Sequence, residues 1–305
     1  MPPLAVIIPT HTTRHLRRTL LGVAHQSRRP DAVVVTCDND DAEIALLVEA
    51  CAAELALLIT LVQRPHTGAF RLAQVRNNGV RALMEAGFGD DCRVVFLDGD
   101  CCPSHGAMEG HERVGAEGGG GGRGADLVIG FRVDLTPEQT EGFDEAAVRS
   151  GKLAAEPTAE QWELLRRRER RYKRHLIMRR LGIGKPHKPK PLGANHSVTL
   201  RSYKLVNGYD EEFQFYGCED DDFGRRLYRA ARPLPYRAAV GIIETVVLHQ
   251  WHPTSAPKDW TGTKGAELLK ADRPARARYG LDSPLPQDRP VVTRFAGAAV
   301  GTNHE

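Results

Sequence analysis

An α/β fold built on mainly parallel strands is the class this chain predicts, and three observations carry it. Through the first hundred residues, short β-rich runs (Leu4 to Ile8, Ala32 to Thr36, Leu58 to Val62, Arg93 to Leu97) alternate with helical stretches (His15 to His25, Ala42 to Leu55, Ala69 to Ala86). Strand, crossover helix and parallel strand is the connection that such spacing makes, and its right-handedness lays helices on the sheet. The residues directly after the runs are polar: Thr10 and His11, Asp38 to Asp40, and Asp98 to Asp100. Open sheets of this kind bind ligands beyond the carboxyl ends of their strands. Finally, 305 residues with 41% hydrophobic and 27% charged composition form a globular chain long enough for a substantial core.

Each element follows from local pattern. Leu4 to Ile8, after Met1-Pro-Pro, is too short for a signal-peptide core and has no basic leader, so it reads as the first strand. Ala42 to Val62 is the most apolar longer stretch, but Glu43, Glu49 and Glu54 interrupt it. It therefore reads as an amphipathic helix entering a strand, not as a membrane span. Gly115 to Gly124 has almost no side chains to pack and lacks the Lys-Ser/Thr ending of a phosphate-binding loop, so a flexible surface insertion is expected. Glu160 to Leu181 reads as a strongly basic helix with Trp162, Leu165, Tyr172 and Leu176 near one stripe. Its basic face is either simply solvated or a contact for an anionic acceptor, a membrane surface or nucleic acid. Gly182 to Pro191, with its alternating prolines, breaks that helix and forms a hinged lid or a linker. Gly241 to Leu248 reads as a further strand, and the proline-interrupted tail from Ser283 as a loosely held extension.

Charge and cysteine usage narrow the function classes. Forty-two Lys and Arg against 39 Asp and Glu leave a net charge of +3, which does not argue for nucleic acid, and at most a peripheral membrane contact is expected. The six cysteines show no CxxC pair and no zinc spacing, so reduced thiols and a cytoplasmic location are expected.

Three clusters carry chemistry. Arg93-Val-Val-Phe-Leu ends in Asp98-Gly99-Asp100, where the glycine lets two carboxylates turn to one spot, a hard-oxygen pair suited to Mg²⁺ or Mn²⁺ beside a phosphate. Far downstream, His249-Gln-Trp251-His252-Pro253 follows the later apolar run, and either histidine could complete a mixed carboxylate and imidazole site. In the third, Glu219-Asp220-Asp221-Asp222 opens a helix running to about Ala231. One or two acids would suit the helix dipole; four together repel, and such crowding suits a general base that takes a proton from a hydroxyl.

Taken jointly, Asp98 and Asp100, Glu219 and Asp220, and His252, in that order on this strand pattern, resemble the GT-A-fold glycosyltransferases of family 2. The stretch from Gly193-Ala-Asn195-His-Ser-Val through Asn207-Gly-Tyr-Asp to Glu219-Asp-Asp-Asp is also similar to the carboxyl-terminal motif of the beta-1,4-galactosyltransferases and bacterial chondroitin-type polymerases. The resemblance covers about residues 4 to 255 and is densest over 193 to 228. It implies a mostly parallel mixed sheet flanked by helices, in one catalytic domain with a helical insertion and a C-terminal extension. The boundaries it suggests are a nucleotide-sugar half at 1–130, a basic insertion at 131–192, an acceptor half at 193–255 and an extension at 256–305.

The resemblance also assigns residues. Pro9 and Thr10 match the nucleotide-contacting turn, Asp38 the acid that recognises uracil or ribose, and Arg76 and Asn77 the pair that helps hold the diphosphate. Asp98 and Asp100 match the metal-binding Asp-x-Asp, His252 the later metal histidine, and Asp220 the base that follows Glu219. Asn195, Tyr216 and Asp221 are the candidates on the sugar and acceptor side. Where the galactosyltransferases usually carry Gly-Trp-Gly, this chain has Phe215-Tyr216-Gly217-Cys218, so Tyr216 offers a smaller stacking face. The implied reaction is an inverting, Mn²⁺- or Mg²⁺-dependent transfer from a nucleotide-sugar donor, UDP-linked by expectation, to a glycan, glycoconjugate or small-molecule hydroxyl. The alternatives are a nucleotidyltransferase making the activated sugar, for which Pro9-Thr-His-Thr-Thr-Arg14 is a poor triphosphate loop, and a polyanion- or membrane-surface-binding protein working through the basic helix.

Overall fold

The computed structural model describes residues 1–297 except 67, 69–70, 119–123, 186, 215–216, 231–236, 254–258, 260, 272 and 288. The Val- and Ile-rich runs of the first hundred residues become parallel strands because they are apolar on both faces, which only a sheet covered on both sides can bury. β1 (Leu4–Thr10), α1 (Leu16–Ala24), β2 (Ala32–Cys37), α2 (Ala42–Leu55), β3 (Ile59–Gln63), α3 (Leu72–Glu85) and β4 (Arg93–Leu97) alternate as the pattern predicts. Leu4 through Ile8 are at most 1% exposed and form the centre of the core. The chain continues through β5 (Cys101–Pro103), α4 (Ala107–Glu117), β6 (Leu127–Ile129), β7 (Arg132–Asp134), α5 (Pro137–Glu141), α6 (Glu145–Arg149) and the long α7 (Ala159–Arg180). It ends with β8 (Asn195–Thr199), α8 (Leu200–Leu205), α9 (Glu219–Ala230), β9 (Ala238–Val240), β10 (Val247–His249), α10 (Lys264–Lys270) and β11 (Val291–Phe295).

The main sheet has the order β11-β3-β2-β1-β4-β8-β6-β9. Its first-half strands pair in parallel, β8 runs antiparallel between β4 and β6, and β11 runs antiparallel on β3, so the sheet is mixed. A second sheet of three strands, β5-β10-β7, sits beyond the end of β4. Its register pairs His249 with Cys101 on one side and with Asp134 on the other.

Two expectations are corrected. The strand predicted over Gly241 to Leu248 forms only at its end: β9 stops before it, at Val240, a turn follows, and β10 starts at Val247. Thr245 causes the break, because its backbone N–H and its hydroxyl both donate to the Gly241 carbonyl (3.0 and 2.6 Å), a closed turn where a strand would be extended. The described part of the tail is not loosely held. The β-branched Val291-Val-Thr run adds the edge strand β11, in register from Val291 opposite Gln63 to Phe295 opposite Ile59. Ahead of it, the Leu285 amide donates to Glu211 (2.8 Å), and Asn78 donates to Gln287 (3.0 Å).

Thr158 and Gln161 close a capping box at the start of α7, which buries Leu165, Glu169 and Tyr172 on one stripe. Arg166, Arg167, Arg170, Arg171, Arg174 and Arg180 remain exposed. Among the described residues, no helix is long and apolar enough to cross a membrane.

Candidate active site

The site starts where β4 runs out of apolar residues. The Gly99 amide donates back to the Pro9 carbonyl (3.1 Å) and the Cys101 amide to the Asp98 carbonyl (3.0 Å), so the chain reverses directly over the end of β1. A Cβ on Gly99 would sit 2.8 Å from Thr10, which is why only glycine fits this approach. The turn sends its two carboxylates to different partners. Asp98 lies 3.3 Å from the Arg76 guanidinium, and Asp100 faces the small sheet.

On that side Asp100 Oδ2 is 3.0 Å from His252 Nε2 and 3.5 Å from His249 Nε2. The other ring nitrogen of His249, Nδ1, is 3.0 Å from Asp134 Oδ1, an arrangement that fixes the imidazole's orientation and tautomer. Asp100, His249 and His252 offer one ligand atom each within 4.8 Å of one another, and they form the one such metal-capable group among the described residues. Burial alone would raise the Asp100 carboxyl, but the bonds to both histidines hold it well below the usual carboxylate range. Burial would likewise lower His249, yet Asp100 and Asp134 raise it to about 9.

The second half of the site is the start of α9, entered through Gly217 and Cys218, both at positive φ (86° and 72°). Its four acids have four different partners. Glu219 accepts from Arg76 (2.9 Å), Asp220 from the Gly193 amide (3.1 Å), Asp221 from Lys190 (2.7 Å) and Asp222 from Arg226 (2.6 Å). Burial and the neighbouring Asp220 raise Glu219 to about 7, against the pull of Arg76. Arg76 therefore joins the two halves: one guanidinium, 1% exposed, holds both Asp98 and Glu219 and lies 5.0 Å from the Tyr209 ring centroid.

Residues 2–111 match the model of glycosyltransferase like family 2, and residues 177–236 match the model for the N-terminal domain of galactosyltransferase. The fold matches S. aureus TarS 1-349 in complex with UDP-GlcNAc, at 16% identity and a TM-score of 0.51, over 84% of this chain and 61% of that one. It also matches GalNAc-T7 with UDP, GalNAc and Mn2+, at 12% identity and a TM-score of 0.53, over 88% of this chain and 47% of that one. The chain has the GT-A fold, and two of its segments match glycosyltransferase family models. No curated protein matches it in sequence. The chain spans less than two thirds of the length of these two solved structures.

The remaining expected site residues divide into those that edge the strand ends and those that do not. Pro9 is buried and contributes its carbonyl to Gly99, while Thr10 is half-buried at the end of β1. Asp38, at the end of β2, binds the Arg64 guanidinium and the Arg71 amide (3.3 Å). Two assignments are corrected. Asn77 is fully buried: its oxygen accepts from the Tyr203 hydroxyl (2.5 Å) and the Tyr209 amide (3.0 Å), and its amide group donates to the Tyr209 carbonyl and to Glu211, both at 2.9 Å. Asn195 is fully buried too, donating to the carbonyls of Phe131 (2.7 Å) and Thr245 (2.6 Å) and lying 2.9 Å from His111 Nε2. Both asparagines hold backbone in place, with no polar atom left for a ligand. Arg76 is enclosed too, bound to Asp98 and Glu219, with its Nε left without a partner. Tyr216 lies outside the described residues.

Asp134 is the residue that sequence reasoning passed over. Its only local signal is an acid ending a short β-rich run, as Asp98 does. Its importance rests on the β7 to β10 register that sets it opposite His249.

Proposed function

We propose that this transferase moves a sugar, with inversion, from a nucleoside-diphosphate donor, UDP by preference, to an acceptor hydroxyl, with Asp220 as the general base and a divalent cation at Asp100, His249 and His252. The observation that supports this most is the Arg76 bridge, which ties the turn bearing Asp98 and Asp100 to the helix start bearing Glu219 and Asp220. The UDP-GlcNAc of the TarS complex and the UDP and Mn2+ of the GalNAc-T7 complex favour the same donor class and cation.

The donor set fits a cation. One carboxylate and two imidazoles match the ligand preferences of a borderline divalent ion, and favour Mn²⁺ over Mg²⁺, which prefers oxygen alone. When bound, such an ion neutralises charge developing on a departing diphosphate. This chain's own residues supply the rest. Asp134 orients His249; the Gly99 turn aims Asp100; Thr10 and Asp38 edge the nucleotide side. Asp220, held through Oδ2 by the Gly193 amide and through Oδ1 by the Asp221 amide, takes the acceptor hydroxyl's proton on a remaining lone pair as the hydroxyl oxygen attacks the anomeric carbon.

The test separates binding from turnover. Asp220→Asn should retain Mn²⁺-dependent UDP binding in isothermal titration and lose about 10² to 10⁴-fold in kcat. An unimpaired rate removes Asp220 from the mechanism.

A further inference from the structure

The outer face of α7 takes no part in the proposed site. Leu165, Glu169 and Tyr172 turn inward and seat the helix on the fold. On the opposite side Arg167, Arg170, Arg174, Ile177 and Leu181 recur at alternating spacings of three and four residues, which lines them up in one outward stripe. Its far end is apolar, with Ile177 56% and Leu181 66% exposed. The helix then closes in a tight reversal: Gly182, at a φ of 72°, donates its amide to the Arg179 carbonyl (3.0 Å), and the Ile183 amide donates to the Met178 carbonyl (3.0 Å). That closure holds Ile183, 69% exposed, at the same end, so three large aliphatic side chains meet water there. Positive charge surrounds them, since no Asp or Glu occurs between Arg170 and Tyr209. The ion pairs of α7 among the described residues join Glu163 to Arg167 (3.9 Å) and Arg170 (2.7 Å), and Glu169 to Lys173. Arg171, Arg174 and Arg180 therefore face solvent without a carboxylate among those residues.

We infer that this end of α7 docks on an anionic lipid surface and lies in its interface, with Ile177, Leu181 and Ile183 reaching below the headgroups while Arg171, Arg174 and Arg180 pair with lipid phosphates. A bilayer surface suits both sets of side chains, because it offers anionic headgroups directly above an apolar layer. Nucleic acid would satisfy the arginines but leave the aliphatic side chains in water, with no aromatic stacking face among them. A second copy meeting the first through the same patch would set arginines against like charge. The docking end also packs on α9: the Arg179 guanidinium lies 3.8 Å from the Tyr228 ring centroid, and the Tyr228 hydroxyl donates to the Pro189 carbonyl (2.6 Å). None of the docking residues belongs to the proposed site, so the inference stands apart from the transferase reading.

Co-sedimentation of the full chain with vesicles tests it. Affinity for vesicles of equal parts phosphatidylglycerol and phosphatidylcholine should exceed that for phosphatidylcholine alone by about tenfold or more, and should weaken as salt is raised. Ile177→Ser with Leu181→Ser should lower the affinity about tenfold or more through the lost apolar contact. Arg174→Gln with Arg180→Gln should lower it by a similar factor of about ten and flatten the salt dependence. All four side chains are exposed, so both pairs should keep the far-ultraviolet circular dichroism of the wild type. Leu46→Ser, at a comparably exposed leucine of α2, should bind as the wild type does. Equal affinity for neutral and anionic vesicles, binding to neither, binding that the serine pair leaves unchanged, or an equal loss in Leu46→Ser would overturn the inference. Capture of a short duplex DNA that the glutamine pair abolishes and the serine pair leaves intact would give the face to nucleic acid. A dimer in analytical ultracentrifugation that the serine pair dissociates would give it to a second copy, and either result displaces the lipid surface.

Discussion

The two halves of the site are built differently. On the donor side the groups come from strand ends whose relative positions are set by backbone pairing: Asp100 precedes β5, His249 ends β10 and Asp134 ends β7, with His249 in register with Cys101 and Asp134. On the acceptor side, Asp220 and Asp221 depend on a backbone amide of Gly193 and an ammonium of Lys190, both from an irregular segment. A sheet register cannot drift by less than a residue without breaking its ladder, whereas a segment pinned by a few side-chain bonds can be reshaped one residue at a time. Under the proposed function, the architecture couples a register-fixed reaction centre to an adjustable acceptor wall, and substitutions in the two halves should fail in different ways.

The largest effect expected is at the junction of Asp100 with both histidines. Asp100→Ala removes the one carboxylate of the cation group, and with it several kcal/mol of charge stabilisation. Turnover should fall about a thousandfold or more, and UDP titrations should lose their Mn²⁺ dependence. Titrations that respond to Mn²⁺ as before would exclude this cation site.

Next comes the link between the halves. Arg76→Met leaves Asp98 and Glu219 without their shared cation, and breaking a buried pair by removing one partner costs about 3 to 5 kcal/mol. Urea unfolding should show a loss of that order. A loss under about 1 kcal/mol would mean that the two halves are positioned independently of Arg76.

A smaller and more selective effect belongs to Asp134. Asp134→Asn keeps the shape but replaces the charged acceptor beside His249 Nδ1, and outer partners of this kind typically carry 10 to 100-fold in metal affinity. The apparent Mn²⁺ affinity should weaken by that range while turnover at saturating Mn²⁺ stays close to normal. Equal losses in both would reassign Asp134 to direct contact with substrate.

What the sequence made legible follows the same division. The strand, the tight turn and the acids of Asp98-Gly99-Asp100 are consecutive, as are the four acids opening α9, so local grammar suffices to find them. That both His249 and His252 face the turn depends on which strands flank β10, and those lie more than a hundred residues away in sequence. Asn77 and Asn195 were misread because a motif records that a polar group is needed without recording which way it points. Here both asparagines satisfy buried backbone that would otherwise go unpaired. The edge strand β11 and the break at Thr245 escaped for a related reason. Apolar runs announce burial, while the sheet that receives them is settled by tertiary pairing.

The smallest effect expected is a pH dependence confined to the acceptor half. Burial and Asp220 raise Glu219 to about 7, above the 4.5 of an exposed glutamate. Between these values the folded protein holds a proton that the unfolded chain has released. Stability attributable to this group is therefore greatest below pH 4.5 and declines as pH rises toward 7. Glu219→Gln, which cannot ionise and still accepts a hydrogen bond from Arg76, should flatten that part of the profile. Urea midpoints of the two proteins should then converge at the acid end of this window and separate at its neutral end, with the wild type relatively weaker there. A constant offset across the window would show that Arg76 keeps Glu219 ionised throughout, and the acceptor half would then be as rigidly charged as the donor half.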